Sequence, residues 1–198
     1  MRESAGVRRA ALIALMIVSA TAVPSAPASA DPALCTSSHS GVTFDQVVVP
    51  AGSTCSLSGS TVLGRVVVEP GGSFGSFLTT IGGNVMGRTG SSISLFLTEV
   101  RGSVMLGGPA LVCFTTIAGN LVVRGAQGDP SAAVTFGGRG IGRAGNRIGG
   151  SVLVESNAIP VLLARNTIGG RLVCTANTAV EADGNTAQGG SFGQCAGG

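Results

Sequence analysis

One short pattern returns about every nineteen residues through this chain, and that spacing constrains the fold more than any other feature of the sequence. The pattern is Thr, Ser or Asn, any residue, Val or Ile, any residue, Gly, any residue, Val or Leu. It occurs at Ser60–Val66, Thr79–Val85, Thr98–Val104, Thr115–Leu121, Asn146–Val152 and Asn166–Leu172, and a weaker copy runs from Asn185 to Phe192. With Gly64, Gly83, Gly102, Gly119, Gly150, Gly170 and Gly190 as markers, the steps are 19, 19, 17, 31, 20 and 20. A period in this range marks a solenoid, in which each repeat buries its apolar face only against its neighbours. The alternation of apolar residues inside each copy has period two, the period of a strand.

The residues between copies agree with coils made of short strands. Val66-Val67-Val68 is followed by Glu69-Pro70-Gly71-Gly72, and Val85-Met86 by Arg88-Thr89-Gly90. Proline removes a ladder donor and glycine supplies positive φ, so such clusters confine each strand to a few residues. Stacked copies generate ladders. Ser60, Thr79, Thr98, Thr115, Asn146, Asn166 and Asn185 share one position and can hydrogen-bond along the stack. Val62, Ile81, Val100, Ile117, Ile148 and Ile168 form an apolar column two residues on. Eight coils, counting Thr43–Pro50 as the first, would make a rod ~38 Å long at ~4.8 Å per coil. The 31-residue step is the one break in the period, and it predicts an insertion or irregular coil over about 124–145.

Residues 1–30 read as a secretory signal peptide, with Arg2, Arg8 and Arg9, an uncharged apolar run from Ala10 to Val23, and a small-residue end at Ala28-Ser29-Ala30. The β-helix domain is expected to occupy 31–198. Without Arg2, Arg8, Arg9 and Glu3, nine Arg stand against eight acidic residues, a balance that gives no reason to expect a nucleic-acid partner. No second apolar stretch approaches the ~20 residues of a membrane span. The expected location is therefore extracellular, with or without attachment to the cell wall, as a monomer.

From these repeats, together with Gly41–Cys55 at the start and Asn166–Cys174 and Gly193–Gly197 at the end, the chain resembles the secreted right-handed parallel β-helix proteins. These include the pectate-lyase-like solenoids and short, mostly uncharacterised secreted proteins of actinobacteria. The resemblance implies an all-β fold, a single-stranded right-handed parallel β-helix of about eight coils. It implies no activity.

Cysteine spacing adds a prediction about the ends. Cys35 and Cys55 are 20 residues apart and Cys174 and Cys195 are 21 apart, about one coil in each case. Partners on adjacent rungs lie within disulfide reach, so a bridge is expected at each end of the rod. Cys113 is then a buried thiol outside both bridges. Its distance from Val104 groups it with Cys55, Phe74 and Ile93.

The residue types that carry catalysis are sparse. His39 is the single histidine, expected to be a solvated or capping residue, and the chain has no metal-ligand spacing. Asp45, Glu69, Glu99, Asp129, Glu155, Glu181 and Asp183 are spread along the coils, and only the last two are close in sequence. Glycoside hydrolysis needs two carboxylates on one face. Gly140-Ile-Gly142-Arg-Ala-Gly145 matches the dinucleotide-binding glycine pattern, but a strand follows where that motif requires a helix. Thr61, Thr80, Thr116, Thr167 and Thr186 form an outward column similar to the threonine faces of ice-binding solenoids. Glu99 and Arg147 interrupt it, so it reads as a solvated strand face.

Four arginines, Arg124, Arg139, Arg143 and Arg147, surround the irregular segment with only Asp129 among them. Guanidinium groups bind carboxylates and phosphates bidentately. The expectation is a secreted, non-catalytic β-helix without cofactor or metal, a structural or binding module at the cell surface. These arginines are its candidate anion site, and an acidic polysaccharide or teichoic-acid-like polymer is its partner. The alternative is a calcium-dependent or degenerate polysaccharide lyase or hydrolase of the β-helix type.

Overall fold

The computed structural model describes residues 31–129, 131–138 and 145–197. The expected signal, residues 1–30, lies outside the described residues. What is described is all-β with no helix: a parallel solenoid of eight coils whose strands form three sheets. Sheet A has nine strands, including Val47–Val49, Val66–Val68, Val104–Leu106, Leu121–Arg124 and Ser191–Gly193. Sheet B has eight, including Ser38–Ser40, Thr54–Ser58, Ser73–Phe77, Ser92–Phe96, Ala110–Cys113 and Val134–Gly137. Sheet C has eight two-residue strands, from Thr43–Phe44 to Thr186–Ala187. Each coil passes through A, B and C in turn, and every strand pairs in parallel with its equivalent one coil away.

Alternation fixes which side chains face inward. Val66 and Val68, Phe74, and Val62 and Ile81 are fully or almost fully buried, and the core is continuous from Cys35 to Cys195. The repeated glycine of the sequence pattern sits at the C-to-A corner, where the backbones of successive coils touch. A Cβ on Gly83 would lie 2.8 Å from the carbonyl carbon of Gly64, and one on Gly102 2.7 Å from that of Gly83. The repeat therefore needs glycine there for close approach. The column ends on Gly189, whose N–H donates to Gly170 O at 2.9 Å, so the last step is 19 residues and Gly190 is the following turn residue.

The polar column at the B-to-C corner is buried and divides in two. In the C-terminal half the asparagines form a ladder. Nδ2 of Asn146 donates to Oδ1 of Asn166 (2.9 Å) and Nδ2 of Asn166 to Oδ1 of Asn185 (2.8 Å), and each acceptor also takes the preceding asparagine's backbone N–H. In the N-terminal half the hydroxyls turn back to the backbone: Thr79 donates to Phe77 O, Thr98 to Phe96 O and Thr115 to Cys113 O. Thr79 and Thr115 also reach the preceding coil, at Leu57 O (3.2 Å) and Leu95 O (3.3 Å), so hydrogen bonding runs along the stack in both halves and the amide-to-amide ladder belongs to the asparagines. A second ladder, which the sequence pattern did not suggest, occupies the A-to-B corner: Asn157 donates to Asn177 (2.7 Å) and Asn177 to Gln194 (2.9 Å).

Both expected disulfides are present, Cys35–Cys55 and Cys174–Cys195, each with Cα atoms 5.4 Å apart. Cys113 is buried and outside them, but its register differs from the sequence reading. Ala110 aligns with Ile93, and Ile93 with Phe74, whereas Cys113 aligns with Phe96. The corner 107–109, Gly-Gly-Pro, is shorter than its counterpart Glu69–Gly72, and this moves every following residue of that strand.

The 31-residue step keeps one strand in each of the three sheets, Leu121–Arg124 in A, Val134–Gly137 in B and Arg147–Ile148 in C. In sequence the additional residues fall between these strands, in 125–133 and 138–146, of which 130 and 139–144 lie outside the described residues.

Candidate functional site: an uncharged groove on sheet B

The outer face of sheet B changes character along the solenoid. Register places Ser38, Ser56, Gly75 and Ser94 in one outward column, and the next residue in it is Leu111. Two residues along each strand, a second outward column reads Ser40, Ser58, Phe77 and Phe96. The first column is a floor of small side chains and the second rises into an aromatic wall. Together they line an open groove of about 530 Å³, with His39 at its N-terminal end. This is within the ~300–1,000 Å³ range of small-ligand clefts. Leu111, 40% exposed, closes the floor at the next rung.

The wall continues as a ridge. Phe77 and Phe96 stack with ring centroids 5.9 Å apart, and Phe114 meets Phe96 edge-on at 5.2 Å. Leu78 and Leu97 extend it and remain 56% and 41% exposed. Their backbone is informative. The corner position before the polar column is left-handed at Gly41, Gly59, Leu78, Leu97, Phe114, Arg165 and Gly184. Glycine takes that conformation freely, whereas a bulky L-residue pays about 1 kcal/mol or more. Leu78, Leu97 and Phe114 therefore occupy strained positions while leaving apolar surface in water.

Three serine hydroxyls of the groove have no partner among the described residues. Ser56, Ser58 and Ser94 are half-buried, and among the described residues none of their Oγ atoms makes a hydrogen bond within the protein. Ser76, which faces inward between them, is by contrast bonded to Thr98 Oγ1 at 2.8 Å. No residue lining the groove carries a carboxylate, guanidinium or amine.

The arginines singled out from sequence do not come together in the part of the structure that is described. Arg124 ends a sheet A strand and is held by Glu155 at 2.6 Å. Arg147 lies on sheet C, in register with Thr116 and Thr167. Arg139 and Arg143 lie outside the described residues, as does most of the 140–145 glycine pattern. Two other arginines are also paired with carboxylates, Arg88 with Glu69 (3.0 Å) and Arg101 with Glu99 (3.1 Å). Asp129 accepts from both the hydroxyl and the N–H of Ser131, which hold its carboxyl below the usual aspartate value, the hydroxyl contributing most. Glu181 and Asp183 face outward on the last strand of sheet B. His39 is half-buried at the N-terminal end, with Nε2 3.3 Å from Ser37 Oγ and its ring edge-on to Phe44. Cys113 donates its thiol proton to Gly137 O at 3.3 Å. Among the described residues no three His, Cys, Asp or Glu side chains gather to hold a metal, and no helix is long and apolar enough to cross a membrane.

Fold and site together define a disulfide-bridged parallel β-solenoid with an open groove, lined without carboxylate, guanidinium or amine, along a sheet face. No family model, curated protein or solved structure matches the chain.

Proposed function

We propose that this chain is a secreted, non-catalytic binding module of the cell surface, and that it holds a surface polymer along the outer face of sheet B. The groove carries this reading. It is the place where half-buried, uncommitted hydroxyls, an open floor at Gly75 and the exposed aromatic wall of Phe77 and Phe96 coincide. Kinship with the pectate-lyase-like and actinobacterial solenoids belongs to the same proposal and rests on the sequence motifs. An acidic polymer held through Arg124, Arg139, Arg143 and Arg147 is less well supported, because Arg124 is neutralised by Glu155 and Arg147 belongs to another face.

The enzymatic alternative would lean on Glu181 and Asp183, the pair of carboxylates sharing one strand face. Glu181 lies three rungs beyond Leu111, about 14 Å at the spacing of paired strands, so these carboxylates do not border the groove. That separation favours binding without turnover. Calcium-dependent release of products from acidic polysaccharides would replace this reading.

The direct test is retention on the native host's envelope. Gly75 has ordinary φ, and a Cβ there would meet only Ser56 Oγ at 3.5 Å, so Gly75→Leu fills the groove without straining the backbone. The variant is expected to melt like the wild type and to lose retention. Retention equal to wild type would remove the groove from the account.

A further inference from the structure

We infer that the ligand of the sheet B groove is an uncharged, polyhydroxylated polymer, a neutral glycan, recognised by serine hydroxyls and an aromatic wall and not by charge. The inference rests on the binding reading above and adds the chemistry of the ligand. Three ion pairs lie away from the groove: Glu69, Glu99 and Glu155 are each paired with an arginine, and none of them lines it. An anionic chain laid in this groove would lose hydration with no arginine or lysine to meet it, only His39 at one end, and a cationic one would find no carboxylate.

The groups that are present fit hydroxyls and C–H faces. A serine hydroxyl both donates and accepts, as a sugar hydroxyl does, so Ser56, Ser58 and Ser94 can match it in either sense. Ser56 and Ser94 lie two rungs apart on either side of Gly75, so these hydrogen-bonding groups stand ~9.6 Å apart along a linear ligand, at ~4.8 Å per rung. Gly75, in the middle of the floor, lets the chain approach the sheet. Phe77 and Phe96 supply apolar contact on one side.

Other occupants fit less well. A stable protein partner needs ~800 Å² on each side, and much of this strip is serine and glycine. An added peptide strand pairs with an exposed sheet edge, whereas this is a sheet face already paired on both sides. An acyl chain would cover the half-buried hydroxyls and leave them without partners.

The experiment separates the host's envelope polysaccharide into neutral and acidic fractions by anion exchange and titrates each into the full mature protein calorimetrically. The neutral fraction is expected to bind, with an affinity unchanged by added salt because no ion pair is made. Ser56→Ala and Ser94→Ala should each weaken it about fivefold, the loss of one neutral hydrogen bond, and Gly75→Leu should abolish it. Both serine side chains point outward, so a thermal melt matching wild type separates a binding defect from a folding one. Binding of the acidic fraction alone, or of neither fraction, overturns the inference. If in that case envelope retention still depends on Gly75, the groove stands and only the ligand class is wrong; if retention is indifferent to Gly75, both fail.

Discussion

At the scale of single residues, the two kinds of corner position respond differently to substitution. Asn166 accepts from the N–H and Nδ2 of Asn146 and donates to Phe136 O and Asn185 Oδ1, all in a buried column. Removing it strands donors away from water, each costing about 1–3 kcal/mol. Asn166→Ala is expected to lower unfolding free energy in urea by at least about 2 kcal/mol, and Thr167→Ala on the exposed face next to it by about 0.5 kcal/mol or less. Gly59 tests the left-handed corner. Its φ is +54° and nothing lies within 4 Å of an added Cβ, so Gly59→Leu meets no clash and registers backbone strain alone. A loss of about 1 kcal/mol is expected. A neutral result would show that Leu78 and Leu97 carry no strain, and would weaken the case that they are kept for a surface role.

At the scale of the element, each bridge ties one end coil to its neighbour. Closing a loop of about twenty residues stabilises by about 3 kcal/mol in the chain-entropy account. Replacing either pair by serine should lower the denaturation midpoint by a corresponding amount. Peptide mapping without reduction should recover Cys35–Cys55 and Cys174–Cys195, with Cys113 alkylated only after unfolding. A bridge to Cys113 would contradict the register.

Much at this scale was legible in the sequence, for a physical reason. Parallel stacking forces equivalent residues into columns, so the apolar column from Val62 to Ile168, the polar column from Ser60 to Asn185 and both bridges follow from spacing alone. The misreadings arise where corner length varies. The short Gly107-Gly108-Pro109 corner accounts for two of the three positions by which Cys113 is displaced from Ile93, its nine-residue distance from Val104 for the third, and the Gly189-Gly190 doublet disguised the end of the glycine column. The second asparagine ladder was findable, since Asn157, Asn177 and Gln194 are 20 and 17 residues apart. It lies outside the motif, at a corner whose register depends on the enlarged coil. The groove was less accessible still. Serine, glycine and phenylalanine are ordinary in a coil, and only the register of sheet B shows that Ser56, Gly75 and Ser94 are neighbours beside Phe77 and Phe96. The arginines stood out in sequence by charge, yet neighbouring positions in a coil can belong to different sheets.

At the scale of the whole molecule, a solenoid separates stability from recognition. The ladders and core run its full length, while the three outer faces carry different chemistry. Sheet C presents an interrupted threonine column, in which Glu99 and Arg147 align with Thr80, Thr116 and Thr167. Sheet B presents the groove over its first four strands and carboxylates at its last. A polymer lying along the rod can contact several rungs at once, so modest contacts at each rung combine along a linear ligand. The most direct measurement of this account is an amide shift map of the oxidised mature protein as native envelope polysaccharide is added. The account predicts changes concentrated at Ser56, Ser58, Gly75, Phe77, Ser94 and Phe96, with Arg124, Arg147 and Glu181 undisturbed. Changes centred on Arg124 and Arg147, with the sheet B strands unmoved, would contradict it.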